Sequence, residues 1–103
     1  MIKHVTLPDL RLHLREVKDG SILWINGNQA VHLNPVATSF MVAFIEVMNK
    51  SGTNTEFLPD YIKAEIISKL RKKYSMPKEV LVKDFDKVYG QIIAIGKGDA
   101  CVF

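Results

Sequence analysis

The chain has 103 residues, 48% hydrophobic and 24% charged, enough for one ordinary globular domain with one core and too few for two comfortable ones. A net charge of +3 and a pI near 9.1 suit an acidic peptide or a nucleic-acid backbone as partner, although a solvated helix face accounts for the excess equally well. The single cysteine, Cys101, excludes an intrachain disulfide and points to a reducing, cytoplasmic setting. The longest nearly apolar stretch, Phe40 to Met48, contains Glu46 and is far short of the roughly 20 residues of a bilayer span. Residues Met1 to Leu10 lack the apolar run and cleavage site of a signal peptide, so neither export nor membrane insertion is expected.

Along the chain, Leu10 to Arg15 alternates apolar and polar residues as a half-buried strand does. Lys18-Asp19-Gly20-Ser21 has turn chemistry, and Ser21 to Asn26 makes a second strand. Asn26-Gly27-Asn28 predicts a tight hairpin into a third strand, Gln29 to Leu33. Asn34-Pro35 then combines a helix cap with a first-turn proline, predicting a helix from Pro35 to about Met48 that is apolar on most sides. After the polar stretch Asn49 to Thr55, Ile62, Ile66, Ile67 and Leu70 predict a second helix ending near Tyr74, with Lys63, Lys69, Arg71, Lys72 and Lys73 outside.

Ser75-Met76-Pro77-Lys78-Glu79 reads as the start of a third helix, with Ser75 or a near neighbour as cap. Leu81, Phe85 and Val88 form one apolar row, and Val82 and Tyr89 a second. Gly90 costs about 1 kcal/mol inside a helix, so the helix is expected to stop there and continue as an extended tail. The fold class is thus α+β: an N-terminal antiparallel three-stranded sheet followed by three helices.

Chemistry-bearing patterns are few. His4, His13 and His32 are 9 and 19 residues apart with no cysteine nearby, a spacing that suits no compact metal site, and no cofactor is expected. Asp84 and Asp86 lie two apart and diverge by about 200° on a helix, which is wrong for a shared substrate. Neither a phosphate-cradling glycine loop nor a nucleophile elbow is present, so the chain is not expected to be an enzyme by itself. Trp24, Tyr61, Tyr74 and Tyr89 do not show the interleaving of aromatic and basic residues that marks RNA-binding sheets, and core or rim packing is the simpler expectation.

Several segments, in order, resemble the family of pyrroloquinoline-quinone biosynthesis protein D, the PqqD-like peptide-recognition domains. They are Asp19 to Leu23, Val31 to Ala37, Lys73 to Val80, and Asp84-Phe85 with Val88-Tyr89, within a span of about 10–93. The stretch Asn49 to Asp60 is longer than the family's short turn, and the sequence after Gly90 also departs from it.

The resemblance implies a winged-helix-like α+β domain that binds the leader segment of a ribosomally synthesised precursor peptide and presents it to a modifying enzyme, often a radical S-adenosylmethionine enzyme. The peptide would add as a strand to Gln29, Ala30, Val31, His32 and Leu33, beside a third helix contributing Val82, Asp86 and Tyr89, with Lys83 and Lys87 as nearby charges. Two other readings stand beside it. A winged-helix nucleic-acid-binding protein is favoured by the pI and opposed by the mixed charges of the third helix, and any nucleic-acid binding by the chain is expected to be weak, non-specific and abolished by moderate salt. A structural domain or homodimer would use the strand edge to pair with itself.

Overall fold

The computed structural model describes residues 2–8, 10–27, 29–52 and 58–97. The elements in chain order are β1 (Ile2–Leu7), β2 (Leu10–Val17), β3 (Gly20–Ile25), β4 (Gln29–Leu33), α1 (Pro35–Ser51), α2 (Asp60–Lys73) and α3 (Lys78–Gly96). The strands form one antiparallel meander in the order β1-β2-β3-β4, and the helices pack against one of its faces. The α+β class and the sheet-then-helices order agree with the sequence reading.

The sheet has four strands rather than three. β1 was hidden because its inward residues include only two apolar side chains that could show a pattern, Val5 and Leu7, both buried. The third inward position is Lys3, which snorkels to the rim and meets Glu46 of α1 at 3.3 Å. In β2 the alternation is complete, with Leu10, Leu12 and Leu14 buried and Arg11, His13 and Arg15 exposed.

Two turns fix the register. Gly20 has φ +137°, and a Cβ there would fall 1.9 Å from the Leu33 carbonyl oxygen, so the start of β3 lies tight against the end of β4. At the β3–β4 hairpin Asn26 and Gly27 both take positive φ, 55° and 76°, which asparagine and glycine adopt most cheaply.

α1 begins as the sequence implied, with Asn34 Oδ1 accepting from Ala37 N at 2.8 Å and Pro35 in the first turn. It runs on to Ser51, where Gly52 in the left-handed region closes it by donating its N–H to the Met48 carbonyl. α1 crosses the centre of the core, which also takes Ile62, Ile66, Ile67 and Leu70 from α2 and Leu81, Phe85, Ile92 and Ile95 from α3. The deepest polar pair is Ser21 and Thr38, whose hydroxyls bond at 2.8 Å between β3 and α1. Among the described residues no buried side-chain polar atom lacks a partner.

α3 corrects two expectations. Its cap position is Pro77, with no side-chain cap bond, and not Ser75. The helix also passes through Gly90 and ends at Gly96. The reason is energetic: Ile92 and Ile95 beyond the glycine are both buried, and burying one such side chain is worth about 1.5–3 kcal/mol, against about 1 kcal/mol for a helical glycine. The rest of the expected tail, 98–103, lies outside the described residues, as do Cys101, Asn28 and 53–57.

Candidate peptide-binding groove

A meander has two edge strands, here β1 and β4. The β1 edge is engaged by α1: Asn49 Nδ2 donates to the His4 carbonyl at 2.9 Å, close to the Lys3–Glu46 ion pair. Among the described residues β4 pairs with β3 alone, and no side chain bonds the backbone of Gln29 to His32. Edge strands in that condition present unpaired N–H and C=O groups to any extended chain.

Beside β4 runs a groove of about 420 Å³. Val31, Leu33 and Ala37 supply apolar surface from β4 and α1, and Val88, Gln91 and Ile92 line it from α3. The side chains follow from two periodicities: Val31 and Leu33 share the inward face of β4, while Val88, Gln91 and Ile92 share one side of α3. His32, also at the groove, is exposed with Ala30 on the outward face.

The five strand residues named from sequence are therefore together on one edge, and Val31, His32 and Leu33 border the groove. The helix residues are not with them. Asp86 and Tyr89 line a separate hollow of about 350 Å³ with Leu58, Lys63 and Ile93, on the α2 side of α3. Asp86 is ion-paired to Lys63. The Tyr89 ring lies 4.9 Å from that of Phe44 and stacks on Phe85 at 5.6 Å, and Val82 also packs against the core. Lys83 and Lys87 are exposed, and Lys87 lies one turn before Gln91.

The separation is a matter of helix phase. Successive residues turn by about 100°, so Val88 and Tyr89, adjacent in sequence, serve different sides. Sequence alone shows two apolar rows on α3 but not which of them α2 covers. The signal that selects the groove side is Gln91-Ile92, which a helix ending at Gly90 excludes.

Comparison with protein-family models, curated proteins and solved structures gives no match.

A further polar cluster lies around Ser39. Ser39 accepts from Tyr74 Oη at 2.8 Å and Lys73 Nζ at 3.0 Å and donates to the Pro35 carbonyl at 3.1 Å, in a cleft that also holds Glu16 and Glu46. A serine whose proton goes to a helix carbonyl, and whose lysine neighbour is a donor, is tied into structure rather than poised as a nucleophile. Among the described residues no three His, Cys, Asp or Glu side chains come together as a metal site, and no helix is long and apolar enough to cross a membrane.

The outward face of the sheet differs from its sequence reading. Trp24 lies there and not in the core, in one cross-strand row with His4 and His13. The His13 and Trp24 rings meet edge-on at 5.6 Å, and the His4 and His13 rings stack at 6.5 Å. Tyr61 is exposed on α2, and Tyr74 and Tyr89 pack beside the core, so the four large aromatics form no common platform.

Proposed function

We propose that this protein binds the leader segment of a ribosomally synthesised precursor peptide by strand addition and presents it to a modifying enzyme, of which radical S-adenosylmethionine enzymes are the type suggested by the PqqD-like resemblance. The observation that carries the reading is the β4 edge, unpaired among the described residues, beside a groove with an apolar wall on α3. An added strand would gain backbone hydrogen bonds from β4 and set alternate side chains against Val31, Leu33, Val88 and Ile92. Gln91, His32 and Lys87 are the polar groups placed to select among leaders. In this reading the chain is a recognition domain acting in the cytoplasm, with catalysis left to its partner.

The test is amide chemical-shift mapping of the labelled protein titrated with synthetic leader segments of ten to twenty residues. Saturable shifts in Gln29 to Leu33 and in Val88 to Ile92 are the expected result. Shifts confined to the basic face of α2 would overturn the reading. Concentration-dependent shifts at β4 without any peptide would replace it by self-pairing of the edge.

A further inference from the structure

The four strands contain a single carboxylate, Glu16, and it lies on the helix side with Ser39 and Glu46. The outward face instead carries Arg11, Arg15, His4, His13, His32 and Trp24, all placed there by the cross-strand register. Asp19 lies in the turn after Val17, at the Arg15 end of β2 and away from Arg11, and forms no ion pair with Arg15. Over the His4–His13–Trp24 row the face dips into a hollow of about 260 Å³, bordered by His4, Thr6, Arg11, His13, Trp24 and Gly27.

We propose that this open face is a second binding surface, for single-stranded nucleic acid. The charge complementarity is one-sided: two permanent cations stand on the central strand β2 with no opposing carboxylate among the described residues of the face. The ring chemistry narrows the occupant. Trp24 on β3 and His13 on β2 offer planar groups between the arginines, an arrangement that lets bases stack while guanidiniums meet phosphates. An acidic peptide would use the arginines but not the indole, and duplex bases, stacked on one another, could not reach it. The surface centres on β1 to β3 and shares only His32 with the β4 groove, which opens on the helix side, so its fate does not decide that of peptide binding.

Trp24 is the only tryptophan, so its emission reports directly on this hollow. The experiment is titration of the protein with a twelve-nucleotide single-stranded oligouridylate in low salt, following Trp24 fluorescence, with labelled oligonucleotide anisotropy in parallel. Expected are saturable quenching, a Kd on the order of 10⁻⁵ M, and a log–log salt slope of about −1.4 for two phosphate contacts. Arg15→Gln should lower that slope by about 0.7 and weaken binding several-fold, and Arg11→Gln with Arg15→Gln should weaken it at least about tenfold. Because the Arg11 guanidinium also donates to the Asn26 carbonyl at 3.2 Å, circular dichroism of the double variant is checked, and Arg15→Gln stands as the variant free of that contact. Arg71→Gln with Lys72→Gln on α2 should leave binding within about twofold. Absence of saturable quenching overturns the proposal. So does equal affinity for polyglutamate or for a duplex of the same length, or a larger loss in the α2 variant than in the β2 variants.

Discussion

The two edges of the sheet solve the same problem in opposite ways. β1 is short of inward apolar residues, yet its edge is tended: Asn49 reaches the His4 carbonyl and Glu46 holds Lys3. β4 has Val31 and Leu33 turned toward the core and, among the described residues, no comparable hydrogen-bonding cover, with the shoulder of α3 standing off across a groove. An edge that is blunted on one side of a sheet and left open on the other indicates that openness is not a general property of the fold. The open edge is also the one that an elongated α3 accompanies through Gln91 and Ile92.

The sharpest way to break this contrast is a pair of prolines. Along a strand successive N–H groups point to opposite sides, so of Ala30 and Val31 one donates toward β3 and the other toward the free edge. Ala30→Pro and Val31→Pro should therefore differ. The variant that loses the free donor should keep its circular dichroism and lose leader binding by about 100-fold, and the other should lose about 3 kcal/mol of stability. Equal behaviour of the two in calorimetry and urea unfolding would show that β4 is not read through its backbone.

Next in size is the division between the two sides of α3. Tyr89→Ala removes a ring packed on Phe44 and Phe85 and should cost about 2–4 kcal/mol in urea unfolding, with leader affinity of the folded fraction changed less than about threefold. Val88→Ala should do the reverse, weakening the leader about tenfold by calorimetry for under about 1 kcal/mol of stability. Reversed outcomes would move the binding surface to the α2 side of α3, where the structure places Tyr89 and Asp86.

At the β1 edge, Asn49→Ala should cost about 1 kcal/mol by releasing the His4 carbonyl, without a second peptide site appearing in the shift map. The smallest expected effect is a gain. Gly90 is exposed, and a Cβ there meets nothing within 4 Å, so Gly90→Ala should raise stability by about 0.5–1 kcal/mol.

What could be read from sequence was whatever a short pattern encodes. The leucines of β2, the Asn26-Gly27 turn and the Asn34-Pro35 cap each signal locally, and each element lies where its signal put it. β1 was missed because Lys3 occupies an inward position, which breaks a two-period pattern that only tertiary contact with Glu46 restores. The continuation of α3 was missed because a local penalty at Gly90 is outweighed by burial that no local pattern displays. For the candidate site, the strand half follows from a linear run of residues. The helix half depends on which side of α3 faces α2, a fact about three dimensions. Trp24 shows the same limit, since its surroundings of Arg11, His13 and His4 come from two other strands.

Asn26 is more than a turn residue. Its Oδ1 accepts from Arg11 N at 2.8 Å and its Nδ2 donates to the Gly96 carbonyl at 2.9 Å, so one side chain fastens the β3–β4 hairpin to both β2 and the last residue of α3. The strand edge and the helix wall are thereby braced at a fixed separation before any peptide arrives. Little configurational freedom is then left for the protein to surrender, and the entropic cost of association falls on the incoming segment. Leader binding should show a favourable enthalpy opposed by an entropy that grows with the number of residues ordered. Stiffening the peptide, and not further stiffening the protein, is the route to tighter binding.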